Sequence, residues 1–164
     1  MINSIIIDDE EDAITLLRNQ LKKHCPDINV VADAQRMNKA IGLIEQHHPQ
    51  LIFLDIQLAG GSGFDLLERI KERNFHVIFI TAHSEFAIKA FQFSVTDYLL
   101  KPVNRELLKQ AVQKVKKLVE ASAPFSSIQT LRIPSNNGIV FVPIMNIVRM
   151  EADGSYTHIY IDDG

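Results

Sequence analysis

The sequence predicts an α/β fold, a (βα)5 unit with a doubly wound parallel sheet, followed by a truncated all-β segment. Apolar runs rich in β-branched and aromatic residues recur about every two dozen residues in the first part of the chain, and helical patterns separate them. Several runs are apolar on both faces, which is typical of strands that helices cover on both sides. Beyond residue 128 the pattern changes to short strands of alternating polarity, which predicts the β segment.

Five apolar runs are expected to form the parallel sheet. They cover residues 2–7, 28–32, 51–54, 77–80 and 95–100. Right-handed crossovers between successive strands then place helices on both faces of the sheet and give a three-layer arrangement.

Apolar residues at helical spacing mark the helices between these strands. The first two helices are indicated by Ile14, Leu17 and Leu21, and then by Met37, Ile41 and Ile44. The longest pattern covers about residues 104–119 and carries four lysines on its other face: Lys109, Lys114, Lys116 and Lys117. A basic helix face raises a nucleic-acid interpretation, but without interleaved aromatic residues a solvated face is the better interpretation.

Composition and charge narrow the class of protein. Of 164 residues, 46% are hydrophobic and 23% are charged, which argues against disorder, and a net charge of −3 gives no nucleic-acid footprint. No apolar run can span a bilayer and no signal peptide is visible, so no membrane partner is expected. The single cysteine, Cys25, leaves no intrachain disulfide and fits a reducing compartment. We therefore expect a cytoplasmic protein.

The second part of the chain follows a segment without apolar periodicity. The α/β unit should occupy residues 1–121, and residues 122–127 are predicted to be a linker. Residues 128–164 contain two turn signals, Asn137-Gly138 and Asp153-Gly154, between alternating segments. This β segment has fewer than 40 residues. Isolated domains below about 40 residues rarely fold without disulfides, metals or partner subunits. The β segment is therefore expected to be an incomplete domain.

Charged and hydroxyl side chains follow four of the five predicted strands. Asp8 and Asp9 follow the first strand, Asp55 the third, Thr81 the fourth and Lys101 the fifth. Because ligands of open α/β sheets bind beyond the carboxyl ends of the strands, these side chains should meet at one edge. Carboxylates at such spacing repel one another unless a cation neutralises them, and oxygen-only ligands favour Mg²⁺. Each residue alone would be an ordinary turn or capping residue, but their coincidence indicates a site.

Residues 1–121 resemble the receiver domain of two-component response regulators, which has a flavodoxin-like fold. The matching motifs are Ile5-Ile6-Ile7-Asp8-Asp9-Glu10, Leu54-Asp55-Ile56 followed by Gly63, Thr81-Ala82, and Asp97-Tyr98-Leu99-Leu100-Lys101-Pro102. The resemblance implies that Asp55 accepts a phosphoryl group from a sensor histidine kinase. It also implies that the protein is not an enzyme beyond its own phosphoryl transfer and dephosphorylation.

The resemblance implies a Mg²⁺ site around the acceptor. Asp9, Asp55 and the backbone carbonyl of Gln57 would bind the ion directly, and Asp8 would bind it through water. A carboxylate nucleophile with a metal and a lysine is sufficient, since phosphoryl transfer depends mostly on positioning and charge stabilisation. Ala59 stands where many receivers have proline, which predicts a more mobile loop after the acceptor.

The same resemblance implies a switch. Thr81, with Ala82, and Lys101 would bind the phosphoryl oxygens, and the bond from Lys101 to Pro102 would be cis. Tyr98 occupies the switch-aromatic position, and its ring would turn inward as Thr81 moves toward the new charge. The surface over residues 85–118 would then change, which predicts a homodimer on phosphorylation.

Residues 128–164 resemble the start of a LytTR-type DNA-binding domain. The matching stretch is residues 144–152, with Ile147-Val148-Arg149-Met150-Glu151-Ala152, followed by Gly154-Ser155-Tyr156-Thr157. The resemblance implies a transcription regulator, with the loop of Asp153, Gly154, Ser155 and Tyr156 as candidate DNA contacts. Residues 122–164 contain two arginines against four acids, a net charge of −2. We therefore expect this fragment to bind DNA weakly or not at all.

Two alternatives stay open at this point. A standalone receiver could act through protein contacts alone. A haloacid-dehalogenase-type phosphatase also places an Asp nucleophile, Mg²⁺, Thr and Lys at strand ends, but its nucleophile begins an Asp-x-Asp motif on the first strand, whereas this chain has the pair Asp8-Asp9 there.

Overall fold

Five parallel strands form the central sheet of the computed structural model, with helices on both faces. The structure describes residues 1–70, 73–122, 130–135, 138–143, 146–153 and 156–162. The chain divides into two units, Met1–Ala121 and Ser122–Gly164. Within the described ranges, no helix is both long and apolar enough to cross a membrane.

The first unit alternates strands and helices along the chain. Its elements are β1 (Ile2–Ile7), α1 (Glu11–His24), β2 (Ile28–Ala34), α2 (Met37–His47), β3 (Leu51–Leu54), β4 (Gln57–Leu58), β5 (Gly61–Ser62), α3 (Gly63–Arg69), β6 (His76–Thr81), a 3₁₀ turn (Ser84–Phe86), α4 (Ala87–Gln92), β7 (Asp97–Leu100) and α5 (Arg105–Ser122). The central sheet has the order β2-β1-β3-β6-β7, and every neighbouring pair is parallel. The predicted doubly wound (βα)5 fold is confirmed.

Alternation along β1 shows why both faces are covered. Ile6 packs with buried residues of α1 and α5, whereas Ile5 and Ile7 pack with those of α2, α3 and α4. All three isoleucines are at most 1% exposed. Burial of both faces explains why the strand sequences are uninterrupted apolar runs.

Sequence periodicity did not locate the shorter elements. The helices α3 and α4 have seven and six residues, too few to show a repeated apolar stripe. The segment after Asp55, predicted as a loop, contains the two-residue hairpin of β4 and β5. The predicted fifth strand began at Val95, but β7 begins at Asp97.

The lysine-rich face of α5 is mostly neutralised. Lys114 pairs with Asp97 at 2.7 Å and Lys116 with Asp27 at 2.5 Å. Lys109 lies 3.8 Å from Glu106. These ion pairs favour the solvated-face interpretation of this helix.

The second unit contains two antiparallel hairpins. β8 (Thr130–Ser135) pairs with β9 (Gly138–Pro143), and β10 (Ile147–Asp153) pairs with β11 (Tyr156–Ile161). Of the predicted turn residues, Asn137 and Gly154 lie outside the described residues, as do residues 123–127 of the predicted linker. The helix α5 ends at Ser122, the first residue of that predicted linker.

Candidate functional site

The carboxyl edge of the sheet brings the predicted site residues together. Asp55 follows β3, and its backbone N–H donates to the carbonyl of Ile7 in β1 (2.8 Å). Lys101 follows β7 and donates its backbone N–H to the carbonyl of Thr81 in β6 (2.8 Å). Because the hydrogen-bond ladder continues past the strand ends, these side chains leave the sheet from fixed positions.

Three carboxylates form a cluster at this edge. Asp8, Asp9 and Asp55 each offer a carboxylate oxygen, and these oxygens all lie within 4.8 Å of one another. Asp8 and Asp55 are 5% and 6% exposed, whereas Asp9 is exposed. An acidic, oxygen-only donor set with one solvent-facing member fits a hard divalent cation such as Mg²⁺.

Lys101 is the cation that neutralises this cluster. Its Nζ lies 2.7 Å from Oδ2 of Asp55, 2.8 Å from Oδ2 of Asp8 and 3.6 Å from Oε2 of Glu10. Burial lowers the pKa of Lys101, but its hydrogen bonds to Asp55 and Asp8 outweigh burial and raise the pKa to about 12. The ammonium is therefore charged at any physiological pH.

Burial and hydrogen bonding have opposite effects on the pKa of Asp8. Burial raises its pKa above the usual range for an aspartate, against the hydrogen bond from Lys101. The backbone N–H of Glu10 also donates to Oδ1 of Asp8 (3.0 Å) and favours the ionised form. These donors allow a carboxylate to be held with little solvent around it.

The segment after Asp55 is fixed by backbone contacts. The N–H of Gln57 donates to Oδ1 of Asp55 (3.2 Å), and the N–H of Gly63 donates to the carbonyl of Ile56 (2.8 Å). A Cβ atom at Gly63 would lie 2.4 Å from the carbonyl oxygen of Asp55. Only glycine therefore allows α3 to start this close to the acceptor strand.

Thr81 and the segment 101–102 complete the edge. Thr81 is fully buried, and its Oγ1 finds no hydrogen-bond partner within the part of the chain that the structure describes. Ala82 follows it directly, and the Lys101-Pro102 bond is cis, as the resemblance implied. A buried hydroxyl without a partner is costly, so it marks a place where a further acceptor would be favourable.

Tyr98 is half-buried and held through its hydroxyl. The O–H donates to the backbone carbonyl of His83, and the ring packs against Phe79 with a centroid separation of 6.1 Å. Burial raises the pKa of Tyr98, and the charges of Glu85 and Asp55 add to this effect. The hydroxyl is therefore a donor at neutral pH.

The sequence did not reveal two residues that contact the site, Glu10 and His83. Glu10, for which the sequence indicated no role of its own, lies at the N-cap of α1, makes no side-chain cap hydrogen bond and instead extends toward Lys101. His83 contributes its carbonyl to Tyr98, a role that any residue type could fill and that no sequence signal marks. In the second unit, Asp153 pairs with Tyr156 across the hairpin, while Gly154 and Ser155 lie outside the described residues.

A doubly wound sheet with three acids and a lysine at its carboxyl edge defines the class of α/β domain that the sequence predicted. The profile of the response regulator receiver domain matches residues 5–113 of this chain. The chain therefore belongs to the response regulator receiver family. This membership confirms the resemblance of residues 1–121 to receiver domains and the prediction that the domain is not an enzyme in its own right. It therefore decides against the phosphatase alternative.

Similar proteins support this membership. The chain is 32% identical over 170 residues to an uncharacterized response regulatory protein of Shewanella oneidensis, covering 100% of this chain and 71% of the relative. It is 38% identical over 126 residues to the sensory transduction protein LytR of Staphylococcus haemolyticus, covering 74% of this chain and 48% of the relative. The chain thus spans about half the length of this LytR relative.

Solved structures share the fold of the first unit. The response regulatory domain of protein mrkE from Klebsiella pneumoniae superposes with a TM-score of 0.68 at 26% identity, covering 73% of this chain and 99% of that domain. The receiver domain of AraT from Geobacillus stearothermophilus gives a TM-score of 0.68 at 30% identity, with 75% and 98% coverage.

Proposed function

We propose that Asp55 accepts a phosphoryl group from a histidine kinase and that the chain contains the receiver domain of a cytoplasmic response regulator. The observation that carries this proposal is the contact between Lys101 Nζ and Asp55 Oδ2 at 2.7 Å, beside the three clustered carboxylates. A buried carboxylate with one fixed cation is suited to attack an electrophilic phosphorus, because the cation also stabilises the transferred oxygens.

The proposed reaction is a displacement at phosphorus. A carboxylate oxygen of Asp55 forms the new P–O bond while the bond from phosphorus to the donor breaks, and the electron pair of that bond leaves with the donor. Lys101 faces both Asp55 and Asp8 and would pair with a phosphoryl oxygen. The hydroxyl of Thr81, buried without a partner in the described structure, would donate to another.

The acidic cluster fits Mg²⁺ as the cofactor of this step. Asp8, Asp9 and Asp55 would hold the ion, together with the backbone carbonyl of Gln57. When bound, the ion would supply positive charge against the repulsion between carboxylates and phosphoryl oxygens. Asp9 is the exposed member of the cluster and would be the first carboxylate that an entering cation meets.

Intact mass after incubation with Mg²⁺ and acetyl phosphate tests the acceptor. We expect a single phosphoryl adduct that hydroxylamine removes and that Asp55→Asn lacks. Asp33→Asn is the matched control, because Asp33 pairs with Arg18 on the surface. An adduct on Asp55→Asn, or none on the unaltered protein with Mg²⁺ binding intact, would contradict the proposal and favour a receiver that acts by contacts alone.

An apolar cleft beside the site supports a protein partner. A cavity of about 260 Å³ lies between α1 and the segment after Lys101, with Leu16, Leu17 and Val103 in its walls. Leu16 is 55% exposed, so its apolar side chain is accessible to a partner. Docking of a kinase here would bring a phosphohistidine to Asp55 while burying apolar surface.

The output is proposed to be transcriptional. The LytTR resemblance of residues 128–164 supports a DNA-binding region in the full-length protein, with residues 153–156 as candidate contacts. The alignment of the whole chain with the longer Shewanella response regulatory protein supports only the assignment to a response regulator. Exposed Ile88, Leu100 and Leu118 support pairing of two receivers after phosphorylation. Sedimentation with and without acetyl phosphate tests this pairing, and an unchanged monomer would exclude it.

DNA binding by the fragment is expected to be weak. Arg149 is already engaged by Glu151 at 3.2 Å and by the ring of Tyr160 at 4.3 Å. A shift assay at low and physiological salt should therefore show little binding, and tight, salt-sensitive binding would contradict this expectation.

A further inference from the structure

A second cavity lies at the pole opposite the acidic site. It has a volume of about 520 Å³ and opens between α2 and α3, near the starts of β3 and β6. This size falls within the range of about 300–1,000 Å³ typical of small-molecule sites. Its apolar walls come from Ile41, Ile44, Pro49, Ile70 and Phe75.

Two helices contribute side chains of opposite charge to the lining of this cavity. Glu45 belongs to α2 and Arg69 ends α3, and His48 and Asn74 complete the rim. Within the ranges that the structure describes, none of these four side chains forms a hydrogen bond or an ion pair. An apolar cavity with a few convergent polar groups is the usual form of a ligand site.

The imidazole of His48 is placed by an uncommon backbone conformation. His48 caps α2 in the left-handed region, with φ 42° and ψ 57°, and its N–H donates to the carbonyl of Ile44 (3.0 Å). Glycine or asparagine would fill this position with less strain. Histidine here keeps a ring at the mouth of the cavity.

From this geometry we infer that the cavity binds a small zwitterion with an apolar side chain, of the class of an aromatic α-amino acid. Arg69 would pair with the carboxylate and Glu45 with the ammonium, while Phe75 and Ile70 contact the side chain. Because Glu45 and Arg69 are exposed on two different helices that line the cavity, a ligand that carries both charges can pair with both, whereas a singly charged ligand pairs with one. The volume admits an aromatic side chain, and the ring of Phe75 favours one over an aliphatic side chain.

Three matched probes test this inference by amide NMR shifts on the full chain. L-phenylalanine carries both charges, 3-phenylpropanoate lacks the ammonium and phenethylamine lacks the carboxylate. We expect saturable shifts at the end of α2 and at Phe75 with a Kd on the order of 1 mM for L-phenylalanine. Each of the other two probes should bind about three- to tenfold more weakly.

Four variants distinguish a loss of ligand binding from a loss of folding. Arg69→Gln and Glu45→Gln should each weaken L-phenylalanine binding and reduce its advantage over the probe that lacks the corresponding charge. Glu68→Gln, in α3 but outside the cavity lining, is the matched control. His48→Gly should melt no lower than the unaltered protein, because glycine suits the left-handed cap, yet bind more weakly.

Three outcomes would overturn the inference. They are the absence of saturable shifts with L-phenylalanine, equal affinity for all three probes, and binding unaffected by both charge variants. Equal affinity would instead indicate an apolar groove for a protein segment.

Discussion

The ammonium of Lys101 lies 2.7 Å from Asp55 and so joins the end of β7 to the end of β3, across the intervening strand β6. The same nitrogen lies 2.8 Å from Asp8. One cation thus neutralises carboxylates that follow two strands, and a second cation would bind carboxylates that this ammonium already pairs with. The affinity of this site for Mg²⁺ consequently depends on a balance between the added ion and the ammonium of Lys101.

Lys101→Met is expected to shift this balance toward the added ion. Without the ammonium, the acidic cluster should bind Mg²⁺ about tenfold more tightly, since a like charge in contact with its ligands is gone. The melting temperature should fall in EDTA and recover with Mg²⁺, whereas adduct formation from acetyl phosphate should slow. Calorimetric titration with Mg²⁺ measures the affinity.

Lys117→Met is the control for this experiment, because Lys117 is exposed on α5. It should leave Mg²⁺ affinity unchanged. Weaker Mg²⁺ binding by Lys101→Met would mean that Lys101 positions the carboxylates more than it competes for them.

Gly63→Ala should destabilise the first unit strongly. The added methyl would meet the carbonyl oxygen of Asp55 at 2.4 Å and Phe79 at 3.1 Å, and backbone cannot move aside as a flexible side chain can. We expect a loss of about 2–4 kcal/mol in the free energy of unfolding. Urea unfolding followed by circular dichroism measures it, since the described helices all begin in this unit.

A second alanine substitution provides the matched comparison. Gly42 lies in α2, and apart from its chain neighbours and the backbone of its own helix no atom lies within 4 Å of the position that a Cβ would take, so Gly42→Ala should stabilise by about 0.5–1 kcal/mol. Similar effects of the two substitutions would show that the close approach at Gly63 does not control stability.

The pH dependence of stability should contain a contribution from His76. Burial lowers the pKa of His76 below its usual 6.5. The unfolded chain then binds a proton at a pH where the folded chain does not, so stability present above about pH 6.5 is lost as pH falls through this value toward the folded pKa. Urea midpoints measured from pH 7.5 to 5.0 should fall more steeply for the protein than for His76→Gln, because the variant lacks this titrating group. Parallel curves would assign the dependence to other groups.

The residues at the strand ends could be predicted from the sequence, because an apolar run shows where each parallel strand ends. Apolar runs on β1 and β3 end in Asp8 and Asp55, and parallel strands place those residues at one edge. The meeting of Asp8, Asp9 and Asp55 therefore follows from topology. By contrast, the contact of Glu10 with Lys101 depends on the rotamer of the Glu10 side chain. No pattern in the sequence predicts that rotamer.

Contacts made by backbone atoms could not be predicted from the sequence either. The hairpin of β4 and β5 arises where Gly60 and Gly61 have positive φ, and two-residue strands leave no alternation to detect. The carbonyl of His83 that receives the Tyr98 hydroxyl carries no residue-type signal. Chemistry borne by side chains at strand ends was therefore predicted better than contacts made by the backbone.

Tyr98→Phe tests that backbone contact. The substitution keeps the ring against Phe79 and removes the hydroxyl that donates to the His83 carbonyl, so the free energy of unfolding should fall by about 0.5–1.5 kcal/mol. Tyr98→Leu removes ring and hydroxyl together and should cost more, and the difference between the two variants measures the ring packing. In NMR spectra, the amide signals around His83 should shift in both variants. A Tyr98→Phe protein with unchanged stability and unchanged signals there would show that the hydroxyl exchanges this carbonyl for water without loss, and the ring would then be free to turn.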